Sequence, residues 1–210
     1  MCQIFLKLGP LTIHWYGVMI AVGALAALFI IRKLKKIADM SEEQAYDLLF
    51  YGVISWVAGA RIFYVVQFLA QFKDKPFEII RIDRGGLVFY GGFIAALFAV
   101  YAFAKRNKLS FIRVLDITAP GIAIAHAFGR IGCFLNGCCF GTETQMPWGV
   151  VFPHGTDPCG FYGQGVHIHP VQLYESFANF IIFITLFFLV KKLKKGQTAS
   201  LYLVLYGTAR

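Results

Sequence analysis

The chain predicts an all-α polytopic membrane protein with five full transmembrane helices, the start of a sixth and its N-terminus outside. Three observations carry that prediction. Of 210 residues, 58% are hydrophobic and 15% charged, with a mean hydropathy of +0.65. A soluble domain carries about a quarter of its residues charged. Several apolar runs approach the ~20 residues that cross a bilayer. Twelve of the twenty basic residues lie in three short segments, around Arg32–Lys36, Lys105–Arg113 and Lys191–Lys195. These follow the first, third and fifth apolar runs, so alternating spans put all three on one side. That is the positive-inside pattern, which makes this side the cytoplasm. The net charge of +9 is thus topological, and no nucleic-acid partner is expected.

The elements follow in order. The first run, about Thr12–Ile31, is followed rather than preceded by charge, so it reads as a retained outside-to-inside anchor and not a cleaved leader. His14-Trp15-Tyr16-Gly17 stands at its outer end, where aromatic residues anchor to the interface. Ser41, before Glu42 and Glu43, is a helix N-cap signal. It opens a second span, about Tyr46–Phe72, which contains Arg61 in Gly59-Ala-Arg-Ile-Phe-Tyr64. An outer loop at 73–86 leads to the third span, Leu87–Ala104. Paired glycines at 85–86 and 91–92 allow either a bend or close ligand approach, or tight helix packing. The fourth span, Phe111–Phe134, holds Pro120, which predicts a kink or break. Residues 141–170 contain no Lys or Arg and read as a small extracytoplasmic head within a single domain covering 1–210. The fifth span starts at His169-Pro170, with Pro170 fitting a first helical turn, and ends near Val190. Ala199–Arg210 begins the sixth.

Ionisable groups at membrane depth are expensive and mark functional sites. The set here is Arg61, His126, Arg130, Asn136, Glu175, Tyr206 and Arg210. At helical spacing His126, Arg130 and Cys133 share one face. Guanidinium forks suit phosphate, so arginines converging near the outer leaflet would hold an anionic lipid head group.

Of the five cysteines, Cys2, Cys133, Cys138, Cys139 and Cys159, the last four fall at or beyond the outer face, where disulfides persist. A disulfide from Cys159 to Cys138 or Cys139 ranks first among their uses. His126 with Cys133, Cys138 and Cys139 offers four zinc ligands by residue type, but the vicinal pair departs from the usual spacing, and no metal site is assigned. A nucleophilic cysteine served by His126 stands beside it as an alternative.

Taken together, the motifs resemble the bacterial phosphatidylglycerol–prolipoprotein diacylglyceryl transferases. The resemblance runs through His14-Trp-Tyr-Gly17, Gly59-Ala-Arg-Ile-Phe-Tyr64 and Gly85-Gly-Leu-Val-Phe-Tyr-Gly-Gly92. It continues through Gly129-Arg-Ile-Gly-Cys-Phe-Leu-Asn-Gly137, His169-Pro-Val-Gln-Leu-Tyr-Glu175 and Tyr206-Gly-Thr-Ala-Arg210. It implies transfer of diacylglycerol from phosphatidylglycerol to the lipobox cysteine of a prolipoprotein, at the outer leaflet of the cytoplasmic membrane and without a cofactor. It also implies that Arg130 and Arg210 handle phosphate, and that Tyr16 and Tyr206 line the site. Asn136 and Glu175 would order it, Gly141 would close the signature stretch, and Arg61 and Tyr90 would contribute to substrate binding. The alternative class is a non-catalytic binder of anionic phospholipid.

Three departures from the best-studied branch stand out. Tyr90 replaces a histidine, Cys133 an asparagine, and Cys138 an acid. His126 is therefore the expected proton acceptor or thiol-orienting group, with a purely structural histidine as the alternative. The family continues beyond the Tyr206–Arg210 motif, so the sequence is expected to be a fragment.

Overall fold

The computed structural model describes residues 4–8, 11–72, 76–81, 85–153 and 155–210. Cys2, Asp83, Arg84 and His154 lie outside the described residues. The chain is mostly helical. Its elements are β1 (Ile4–Leu8), β2 (Leu11–His14), α1 (Trp15–Leu34), α2 (Glu42–Gln67), α3 (Leu69–Phe72) and α4 (Phe89–Arg106). There follow α5 (Phe111–Asn136), β3 (Val150–Val151), α6 (Asp157–Tyr162), β4 (His167–Ile168), α7 (Val171–Leu189) and α8 (Gln197–Ala209). The strands form two small antiparallel pairs, β1–β2 and β3–β4. Neither was anticipated, because strands of two to five residues carry too little alternation to be read from sequence.

Among the described residues, four helical segments are long and apolar enough to cross a membrane: Trp15–Ala38, Glu42–Gln67, Phe111–Asn136 and Val171–Leu189. The remaining expected span, the third in chain order, is α4, whose 18 residues end in Lys105 and Arg106. The sixteen residues before that pair rise about 24 Å at 1.5 Å each, short of a ~30 Å hydrocarbon core. Leu25, Phe29, Phe50, Phe98, Phe177 and Phe188 are exposed on these helices, the inverse of a water-facing surface.

The helices sort into two compact units, 1–34 with 115–210, and 35–114. In the second, α2 begins with a capping box. Ser41 Oγ accepts from the Gln44 amide at 3.1 Å, and Gln44 Oε1 accepts from the Ser41 amide at 2.9 Å. α2 and α4 pack directly through small residues. A Cβ on Gly59 would meet Ala95 Cβ and the Gly91 carbonyl, and one on Gly92 would lie 2.8 Å from the Trp56 indole. The glycines at 91–92 thus serve helix packing. Gly85 and Gly86, with φ of 80° and 76°, serve a bend that a side chain would strain.

In the first unit α5 is the core helix. Ile117 and Ala123 are fully buried on it, and Ala119 and Ala123 pack against Ile182 and Leu186 of α7 and against α8 through Leu201, Tyr202, Leu205 and Tyr206. Toward α1, a Cβ on Gly23 would lie 3.0 Å from the Ala125 carbonyl. Pro120 does not break α5. It removes a single amide donor, which neighbouring helices tolerate. Pro170 caps α7 one position earlier than expected.

Candidate active site

Helical periodicity carries His126, Arg130 and Cys133 along one face of α5, and glycines between them let α1 approach. A Cβ on Gly132 would lie 3.1 Å from Met19 Cβ and 3.3 Å from Tyr16 Cδ2. Tyr16, in the first turn of α1, is thereby set against the end of α5, within electrostatic reach of Arg130 and of Cys133, Cys138 and Cys139.

Arg130 pairs with Glu175 of α7. Nε lies 2.7 Å from Glu175 Oε2, the side chains being 14% and 27% exposed. The Nε–H is not aligned for a hydrogen bond, so the contact is an ion pair set by distance. Two charges in apolar surroundings need each other, since desolvating either alone is unfavourable. The guanidinium can meet an anionic ligand without losing its place. Asn179 holds the same turn of α7 through Nδ2, 2.8 Å from the Glu175 carbonyl.

α8 brings Tyr206 and Arg210 to this face. The Tyr206 ring lies 5.1 Å from the His126 ring and 5.8 Å from Tyr202, stacked on the latter. Arg210 Nη1 donates to Tyr206 Oη at 3.1 Å. His126 therefore sits in the fields of both Arg130 and Arg210. Sequence reasoning missed what seats α8. Asp116, fully buried on α5, accepts from the Gly196 amide at 2.7 Å and the Ala199 amide at 3.0 Å. Those two amides have no acceptor within α8 itself, so Asp116 caps the start of the helix. The signal was present, an acid inside an apolar run.

The cysteines are arranged by the end of α5. The Gly137 amide donates to the Phe134 carbonyl and the Cys138 amide to the Cys133 carbonyl, both at 3.1 Å, with Gly137 left-handed at φ 72°. These are the paired bonds of a Schellman motif, which folds the second residue past the helix onto the last turn. Cys138 is thus laid against Cys133. Cys139, itself left-handed at φ 59°, puts its Sγ 3.8 Å from that of Cys138. The three Sγ atoms all lie within 4.8 Å of one another. Hydrogen bonding from Cys133, helped by Asn136 and Cys139, lowers the Cys138 thiol from its ordinary value to about 6 against the effect of burial. Burial raises Cys139. Gln172, fully buried on α7 and also absent from the sequence reading, donates from Nε2 to the Cys138 carbonyl at 2.8 Å.

One cysteine expectation is corrected. Cys159 is a free, buried thiol on α6 and forms no disulfide with Cys138 or Cys139. The Schellman turn brings the thiols of Cys133 and of the vicinal pair to one place. His126 does not belong to the thiol group.

Gly141 meets the start of α7. Its amide donates to the His169 carbonyl at 3.2 Å, and a Cβ there would lie 2.7 Å from Val171 Cγ1. Arg61 and Tyr90 belong to the other unit. The Arg61 guanidinium donates to the carbonyls of Glu78, Ile79, Gly85 and Gly86 at 2.5–3.1 Å and lies over Tyr64 and Phe72. It gathers the loop before α4. Tyr90 is 73% exposed.

The helices that carry Arg130 and Glu175 also enclose an apolar groove of about 300 Å³, lined by Ile124, Phe128, Ile131, Leu173 and Phe177 among others. A charged pair beside an apolar groove suits an amphiphile with an anionic head.

Comparison with known proteins agrees with that chemistry. Residues 3–210 match the family model described as prolipoprotein diacylglyceryl transferase. A phosphatidylglycerol–prolipoprotein diacylglyceryl transferase of Clostridium tetani is 35% identical over 100% of this chain and 83% of its own length. One from Finegoldia magna is 38% identical over 94% of this chain and 76% of its own. One from Synechococcus elongatus is 32% identical over 97% and 73%.

Proposed function

The chain belongs to the prolipoprotein diacylglyceryl transferase family, and we propose that it moves the diacylglyceryl group of phosphatidylglycerol onto the lipobox cysteine thiol of a prolipoprotein. The observation that carries this is the partly buried Arg130–Glu175 pair facing Tyr206 and Arg210 around His126. In the reaction the thiol sulfur attacks the diacylglyceryl carbon, the carbon–oxygen bond to phosphate breaks, and glycerol phosphate leaves with the electron pair. Negative charge grows on the leaving phosphate, and positioned guanidinium groups stabilise charge that develops in the transition state.

Arg130 and Arg210 are assigned to the phosphate, Tyr16 and Tyr206 to the walls, and His126 to the proton of the incoming thiol. Asn136, Glu175 and Gly141 order the frame, Glu175 by holding Arg130. Arg61 contributes by fixing the loop that leads to α4, and Tyr90 contacts substrate from the first turn of that helix. The groove between α5 and α7 suits an acyl chain.

The proposed setting is the bacterial cytoplasmic membrane, with the active site toward the outer leaflet and residues 141–170 as the extracytoplasmic head of one transmembrane domain. α4 is taken as the third of the five spans. If it did not cross, the basic segments at 105–113 and 32–36 would face opposite sides.

The test is transfer from radiolabelled phosphatidylglycerol to a lipobox peptide by the purified chain, with His126→Ala alongside. A thioether-linked labelled peptide is expected, and formation ~10²-fold slower in His126→Ala if the imidazole takes the proton. Retention of the lipid without turnover would favour the non-catalytic binder. An unchanged rate in His126→Ala would remove that residue from the chemistry.

A further inference from the structure

Nothing assigned so far uses the thiols that the end of α5 gathers. We propose that Cys133, Cys138 and Cys139 bind one zinc ion, and that its open fourth position takes the lipobox thiol. The second half of this inference rests on the transferase reading.

Three sulfurs lie within 4.8 Å of one another, and those of Cys138 and Cys139 are 3.8 Å apart. At a Zn–S distance of ~2.3 Å, tetrahedral sulfurs stand about 3.8 Å apart. One pair already meets that spacing, and the others reach it by side-chain movement of about 1 Å. The backbone carrying them is held in place. The Schellman bonds fix Cys138 over Cys133, and buried Gln172 ties the Cys138 carbonyl to α7. Soft thiolates select zinc over magnesium or calcium, which prefer oxygen.

The count of three points to function. Structural zinc sites close with four protein ligands, whereas reactive ones keep a position open. The thiols lie one turn from Arg130, since Cys133 is three residues, or about 4.5 Å of helix rise, further along α5. Three thiolates and Zn²⁺ carry a net charge of −1, and Arg130, although paired with Glu175, lies within electrostatic reach of the thiols. A thiol entering the fourth position loses its proton on coordination. That proton passes through water to His126, the acceptor proposed above. The zinc-bound sulfur then forms the S–C bond as the C–O bond to phosphate breaks. The metal is unchanged, and no electrons are exchanged with it.

The experiment begins with the full chain, purified anaerobically with zinc, dialysed and assayed for metal content. About one zinc per chain is expected, falling at least tenfold in Cys138→Ser and Cys139→Ser and unchanged in Cys159→Ser, whose thiol lies outside the group. Cobalt substitution should give a thiolate-to-metal charge-transfer band. A lipobox peptide should shift that band, and the same peptide with serine for cysteine should not. Zinc bound equally by the serine variants, no retained metal, or a disulfide between these cysteines in the anaerobic protein would overturn the site. A cobalt band indifferent to the peptide would overturn thiol capture. Diacylglyceryl transfer is assayed separately. Undiminished transfer by metal-free chain would sink the zinc proposal and leave the transferase standing. Absent transfer with an intact, peptide-responsive metal site would do the reverse.

Discussion

At the scale of single residues, Arg130 and Cys138 make the sharpest claims. Lysine keeps the charge of Arg130 but loses the planar fork that grips two phosphate oxygens. Arg130→Lys should therefore lower diacylglyceryl transfer by ~10²-fold or more, mostly in kcat, when rates are measured against phosphatidylglycerol concentration. Loss confined to KM would mean that the arginine only binds. Cys138 carries a pH prediction. Its thiol is lowered to about 6 by hydrogen bonds from Cys133, Asn136 and Cys139, and the thiolate is the species that alkylates. In metal-free protein, iodoacetamide should label Cys138 with a midpoint near pH 6, while Cys139, raised by burial, labels only in more alkaline solution. A depressed pKa favours the fold above the ordinary thiol value and loses that contribution as pH falls through about 6. Peptide mapping after labelling across pH 5–9 reads both sites. Equal midpoints would contradict the hydrogen-bonded arrangement.

At the scale of elements, the active face depends on how α8 is docked. Its first turn has two amides satisfied by Asp116 from α5, and α8 carries Tyr206 and Arg210. Loss of a capping side chain costs about 0.5–2 kcal/mol. Asp116→Ala should thus accelerate amide exchange at 196–200 and lower transfer, although Asp116 touches no reacting atom. Restored exchange protection in Asp116→Asn, which keeps an acceptor oxygen, would identify capping as the cause. Unchanged exchange in Asp116→Ala would exclude it. The α2–α4 pair shows a different economy. Gly59, Gly91 and Gly92 replace side chains with backbone contact, as suits helices whose apolar exteriors gain nothing by leaving lipid.

At the scale of the whole molecule, orientation is the property with the widest consequences. If the three basic segments are cytoplasmic, reporters inserted after Lys36, Lys108 and Lys195 should be active as cytoplasmic fusions. One inserted at Gly155 should be active only as an exported fusion. The insertion at Lys108 is decisive for α4, whose uncharged part is short. An exported signal there would mean that α4 does not cross and that the head and the arginines need reassignment.

By itself the sequence determined the helical membrane class, the register of His126, Arg130 and Cys133 on one face, the Ser41 cap and the family. Each of these is periodic or local, and composition or spacing within a few residues is enough to specify it. It did not determine the strands, the break at Phe68 between α2 and α3, or the tie from Asp116 to α8. It also left open which paired glycines bend and which pack. The tie and the packing glycines depend on partners distant in the chain, as Asp116 does on Gly196 eighty residues later, whereas the strands are too short for their alternation to be read. The cysteines at the end of α5 show the division most clearly. Cys133, Cys138 and Cys139 look scattered by spacing, and Gly137 alone hints otherwise. Only the tertiary structure, through a left-handed Gly137, a left-handed Cys139 and the grip of Gln172, decides that three thiols share one place beside Arg130.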